Sequence, residues 1–171
     1  FKEFNLKKNL FLKKKLNKIL NKKNSVIESL SKNYKNSYDK KLLNKYKKSL
    51  NFRVIGMGGS ILGTQAIHDF LGNKIKKKFE FINNLDSSFK NKTKKKYVNL
   101  IVSKSGNTIE TIANVNLFVK KKDQNIFITE NKKSYLFLLA NKLKSEIVHH
   151  NNYIGGRYSV LSEVGMLPAE L

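Results

Sequence analysis

The chain has 171 residues, 40% of them hydrophobic, which suits one domain with a core of its own plus a helical extension. It contains no cysteine, so a disulfide framework and a thiolate metal site are both excluded, and a reducing, cytoplasmic setting is expected. The formal net charge of +23 comes from 35 lysines and arginines against 12 acids, yet only Arg53 and Arg157 are arginine and the lysines are spread along the chain, which argues against a base-reading nucleic-acid binder and for a solvated bias that draws anionic ligands.

Residues 1 to about 50 read as helices. Phe4, Leu6, Leu10, Leu12, Leu16, Ile19 and Leu20 approximate a 3.6-residue stripe between lysines, and a second run carries Val26, Ile27, Leu30 and later Leu42, Leu43 and Tyr46. These helices are expected to pack on the flank of a domain, not on a membrane. The stretch is too interrupted by lysine for a signal peptide, and its lack of arginine together with Glu3 speaks against an organelle transit peptide. No apolar run approaches the roughly 20 residues that span a bilayer.

After Asn51 short apolar runs alternate with helical ones, the pattern of beta-alpha-beta units on a parallel sheet. Strands are predicted over 53–56, 79–82, 98–102, 125–129 and 146–149, with helices beginning after Ser60, after Ser87, after Asn107, near Ser134 and near Ser162. The predicted fold is therefore α/β, a parallel sheet of about five strands with helices on both faces, preceded by the helical segment. The division is drawn at 1–50 and 51–171. The chain opens with Phe1 and stops at Leu171 inside what reads as an unfinished helix, so it is expected to be a piece of a longer protein.

Two of the strands run into Gly/Ser loops. The first loop is Gly56-Met57-Gly58-Gly59-Ser60, and its glycine spacing, with no acid closing the next strand, disfavours a dinucleotide. Judged alone it serves equally as a tight turn or as a phosphate cradle in which Ser60 supplies a hydroxyl and a helix cap. The second loop, Ser103-Lys104-Ser105-Gly106-Asn107-Thr108, places three hydroxyls and several amides at the positive end of a helix. It lacks the Gly-Lys-Ser/Thr ending of a nucleotide P-loop, so a sugar phosphate is the better ligand. Ligands of such sheets bind beyond the carboxyl ends of the strands, where both loops fall.

Together with Asn152-Tyr153-Ile154-Gly155-Gly156-Arg157-Tyr158-Ser159, these loops resemble the sugar isomerase (SIS) domain, and more narrowly the phosphoglucose isomerase family. The two loops are shared by SIS proteins at large, and the Gly-Gly-Arg-Tyr-Ser block is particular to phosphoglucose isomerases. The resemblance implies an SIS-type, flavodoxin-like sheet and an enzyme that interconverts glucose 6-phosphate and fructose 6-phosphate through an enediolate. Gly59, Ser60, Ser103, Lys104, Ser105, Gly106, Asn107 and Thr108 would bind substrate, and Arg157 would stabilise the enediolate. Glu163 departs from the family pattern, which carries a small residue there, and reads as a first-turn acid favoured by the helix dipole.

The resemblance also implies that the proton-transfer glutamate, the ring-opening histidine and a further lysine lie in a second SIS domain downstream. His68, His149, His150, Glu110 and Glu170 sit in no matching motif and read as structural. No metal or cofactor is expected. The partners expected are a small sugar phosphate and, at full length, a second copy in a homodimer, with neither nucleic acid nor membrane. The chain alone is expected to bind weakly and not to isomerise. A non-catalytic SIS module that senses a phosphosugar is the alternative.

Overall fold

The computed structural model describes residues 10–22, 24–85 and 95–171. The predicted helical residues 4–9 and the helix expected after Ser87 lie outside the described residues. The chain divides into two compact units, Phe1–Tyr34 and Lys35–Leu171. In the first, α1 (Leu10–Leu20) carries the lysine-interrupted stripe. The short α2 (Ser25–Ser29) starts at Asn24, whose side chain accepts from the Val26 amide at 2.9 Å.

In the second unit α3 (Lys40–Tyr46) is capped by Asp39, which accepts from the Leu42 amide at 2.9 Å. Residues 35–50, read in the sequence together with the amino-terminal helices, belong here to the same unit as the sheet. The elements then alternate: β1 (Asn51–Ile55), α4 (Gly59–Leu71), β2 (Lys78–Ile82), β3 (Val98–Val102), α5 (Ile109–Phe118), β4 (Gln124–Thr129), α6 (Tyr135–Lys142), β5 (Glu146–His149), a 3₁₀ segment (Gly156–Leu161) and α7 (Glu163–Glu170). Among the described residues the five strands form one sheet in the order β2-β1-β3-β4-β5, every neighbouring pair parallel.

Strand alternation divides the core between the two faces. Phe52, Val54, Val98, Leu100, Val102, Ile126 and Ile128 point to the side of α3, α4 and α7, where they meet Tyr46, Ile61, Val164 and Leu167. Ile55, Ile101 and Phe127 point to the side of α5 and α6, against Val115, Phe118, Leu136 and Ala140. On that second face one transverse row is polar, since the register sets Glu80, Arg53, Asn99 and Asn125 side by side across four strands. Arg53 Nε donates to Glu80 at 2.6 Å while its guanidinium stacks on Tyr97 and Phe118. Asn99 donates to Asn125 at 2.8 Å.

Two predicted details shift. Gly56 leaves the first strand, which instead begins at Asn51. Ser60 is not a helix cap: α4 begins at Gly59 with Gly58 as its cap, at φ 53°, and Ser60 lies in the first turn. A glycine reaches that φ without the Cβ penalty, so the backbone turns two residues earlier than a capping Ser60 would require.

Candidate active site

The sheet order reverses direction at β1, because the chain crosses from β1 to β2 on one side and then returns to place β3 on the other. The helices that follow β1 and β3 pack on opposite faces, so the carboxyl ends of these strands form the switch point, the usual ligand position of a doubly wound sheet. Residues 56–58 and 103–108 border it. A Cβ on Gly56 would lie 3.0 Å from the Val102 carbonyl oxygen, which measures how closely the first loop approaches the end of β3.

The second loop is tied internally. Ser103 Oγ and Thr108 Oγ1 are 3.1 Å apart. The Gly106 amide donates to the Ser103 carbonyl and hydroxyl, and the Asn107 amide donates to Ser105 Oγ at 3.2 Å. Thr108 is the residue before α5, but its hydroxyl turns to Ser103 and forms no cap bond. Two of the amides read as phosphate donors are thus occupied by serine oxygens of the same loop. Gly106 has φ 67°, and a Cβ there would overlap the Ser134 side chain. That close approach lets Asn107 Oδ1 accept the Tyr135 amide at 2.9 Å, which ties the loop to the start of α6.

The third segment meets the first loop by backbone packing. A Cβ on Gly59 would overlap Gly156, so two glycines face each other where α4 begins and the 3₁₀ segment starts. Ser159, fully buried, donates its hydroxyl to Gly156 O at 2.7 Å and lies 3.3 Å from Gly59 O. The segment also meets the second loop: Lys104 Nζ donates to Asn152 O at 2.5 Å, with Glu130 Oε1 at 3.8 Å. All nine site residues named from the sequence therefore fall on three segments, with Arg157 exposed on the one that touches the other two.

The remaining polar residues have no ligand role in the sequence reading. Ser159 belongs to the Gly-Gly-Arg-Tyr-Ser block, but only its burial and its bonds to the two glycine carbonyls reveal what it does there. His150 and Glu163 are 1% and 0% exposed. Burial, more than anything else, pushes the His150 imidazole below its ordinary value, and the nearby Glu163 opposes that shift. Glu130 is held below the usual carboxylate range, chiefly by its hydrogen bond from Lys132. His68 lies on α4, its ring against Phe79 and Phe81. An apolar cavity of about 250 Å³ opens beside it, lined by Ile67, Leu71 and Phe79 and separate from the hydroxyl-rich loops. Among the described residues no cluster of His, Cys, Asp and Glu is arranged to hold a metal, and no helix is long and apolar enough to cross a membrane.

The model of the family described as phosphoglucose isomerase matches residues 14–171. The chain belongs to the phosphoglucose isomerase family. Within it, the chain is 39% identical over 135 residues to the glucose-6-phosphate isomerase of Acholeplasma laidlawii, covering 67% of this chain and 32% of that protein. It is 38% identical over 134 residues to the glucose-6-phosphate isomerase of Methanocaldococcus jannaschii, covering 69% and 32%. The chain thus spans about a third of the length of these phosphoglucose isomerase relatives. Among solved structures, a hypothetical protein from Thermus thermophilus superposes with a TM-score of 0.65 at 25% identity, over 76% of this chain and 34% of that one.

Proposed function

We propose that this chain is the phosphate-anchoring part of an aldose–ketose isomerase that interconverts glucose 6-phosphate and fructose 6-phosphate. The observation that carries the reading is the contact of Gly59 with Gly156, which seats the Arg157 segment on the first phosphate loop at the sheet's switch point. Gly59, Ser60 and the hydroxyls of Ser103, Ser105 and Thr108 grip the phosphate, with Lys104 and Asn107 beside them. A dianionic phosphate exchanges the internal serine-to-amide bonds of the 103–108 loop for stronger charge-assisted ones. The anchored phosphate fixes the open-chain sugar, so its first two carbons reach one place instead of many. Arg157, permanently charged, faces the oxygen on which negative charge grows as the enediolate forms, and its planar donors hold that charge without exchanging a proton.

The proton-moving base and the ring-opening acid belong to a second SIS domain downstream, and the complete enzyme works in the cytoplasm as a homodimer. The relatives' threefold greater length supports this division of labour. The test is a coupled isomerase assay of the complete protein and its Arg157→Ala variant. We expect turnover to fall by about a hundredfold, the usual order for loss of an oxyanion-stabilising donor, while KM stays within about threefold. An unchanged kcat removes Arg157 from the mechanism. A complete protein that binds glucose 6-phosphate and turns none over is instead a phosphosugar sensor.

A further inference from the structure

The loop that carries Arg157 leaves β5 at His150 and returns at Glu163, the first residue of α7. Its two ends are tied by a side chain. Glu163 Oε1 lies 3.5 Å from Asn151 Nδ2, 3.1 Å from Ser37 Oγ and 3.2 Å from the Ser37 amide. Ser37 Oγ also approaches the His149 carbonyl. One carboxyl oxygen therefore gathers the start of the loop, its end and the segment that leads into α3.

A carboxyl group without solvent exposure is costly unless donors surround it, and removal of such donors strands it in a poorly hydrated place. The Ser37 backbone amide and the Asn151 side-chain amide are N–H donors to this oxygen, the Ser37 hydroxyl shares its one proton between it and the His149 carbonyl, and the amino end of α7 adds the favourable end of a helix dipole. The site is thus built around an acceptor. Arg157 lies midway between the two tied ends, six residues from Asn151 and six from Glu163 by their sequence numbers. The rest of the loop is held from within: Ile154 is fully buried, Ser159 bonds Gly156 O, and Ser162 Oγ donates to Ser159 O at 2.7 Å. The loop is therefore tied at its ends and bonded within, while Asn152, Tyr153, Arg157 and Tyr158 are exposed along it.

We infer that Glu163 is a positioning residue for Arg157, closing the 151–163 loop by accepting from Ser37 and Asn151 so that the guanidinium is held at the switch point of the sheet. The inference rests on the reading of Arg157 as the group that faces the enediolate. Because the carboxyl acts as an acceptor, glutamine keeps an oxygen in its place and alanine removes it.

The experiment uses the complete protein with Glu163→Gln, Glu163→Ala and Ser37→Ala, each first checked for folding by circular dichroism. Steady-state kinetics with glucose 6-phosphate and amide hydrogen exchange over 151–158 are then read in parallel. We expect Glu163→Ala to lower kcat about tenfold with KM within twofold and to speed exchange in the loop. Glu163→Gln should keep at least half of the wild-type kcat, and Ser37→Ala should lie between the two. Unaltered exchange in Glu163→Ala overturns the loop closure, and faster exchange with unchanged kcat, or an effect on KM alone, overturns the positioning. A glutamine variant as impaired as the alanine one also overturns it. Should Glu163→Ala fail to fold, Ser37→Ala is read in its place, and unaltered exchange or unchanged kcat there overturns the inference in the same way. If the complete wild-type protein shows no turnover, the isomerase reading fails separately, while the exchange comparison still decides whether Glu163 closes the loop.

Discussion

At the scale of single residues, the 103–108 loop depends on one backbone conformation. Gly106 sits at φ 67°, where a residue with a Cβ is strained by about 1–2 kcal/mol. The added methyl would also meet the Ser134 side chain, the cap of α6, with Ser134 Cβ 2.7 Å away. Gly106→Ala should therefore cost at least about 2 kcal/mol and lower the melting temperature by several degrees. Gly72→Ala is the control, because its φ of −46° is helical and a Cβ there meets open space. Equal melting temperatures for the two variants would show that the loop relaxes around the new methyl. The glycine was legible in the sequence as a loop residue, but the reason for it was not, since Ser134 is 28 positions away and only the fold brings it near. Glu163 makes the same point. A first-turn acid beside a helix dipole could be read from its position, whereas its complete burial and its bonds to Ser37 and Asn151 join residues that the chain keeps up to 126 positions apart.

At the scale of elements, periodicity carried most of the information. The strand over 98–102 and the helix starts near Ser134 and Ser162 lie where a short apolar run and 3.6-residue patterns put them, because a strand buried on both faces is apolar nearly throughout and a helix buries one stripe. The 3₁₀ segment Gly156–Leu161 had no such signal, since a short run of i→i+3 turns buries too few residues to imprint a period. The pairing of α4 with α7 was also hidden, and it turns on a proline. Pro168 has no N–H for the Val164 carbonyl four residues earlier, and that buried carbonyl accepts instead from Thr64 Oγ1 of α4 at 2.8 Å. Thr64→Val keeps the shape and removes the donor, so an orphaned carbonyl should cost about 1–3 kcal/mol. Thr64→Ser keeps the hydroxyl and should lose less. Denaturant melts compare the two, and a valine variant as stable as the serine one would mean that water replaces the bond.

At the scale of the whole molecule, the edges of the sheet were written in the sequence more clearly than its order. Lys78 and Glu80 in β2 and Glu146 and His149 in β5 mark strands with an open side, and these are the two edges. The middle strands β1, β3 and β4 are almost wholly buried and look alike, so nothing local tells which neighbours which. The charge is a second global property. With 35 basic and 12 acidic side chains, like charges crowd each other once the chain is compact. Lys77 records this locally: its ammonium is pushed below its ordinary value, first by burial and then by Lys47. Salt shortens the reach of such repulsion from about 10 Å at 0.1 M to about 3 Å at 1 M. If repulsion in the folded state outweighs that in the more open unfolded chain, the melting temperature should climb steadily between 0.1 and 1 M sodium chloride. A mutant with Lys120, Lys121, Lys122 and Lys133 changed to glutamine should start higher and climb less. A melting temperature that stays flat or falls with salt, in both proteins, would mean that the lysines are far enough apart for water to screen them already, and that ion pairs such as Arg53 with Glu80 and Lys45 with Glu146 outweigh the excess.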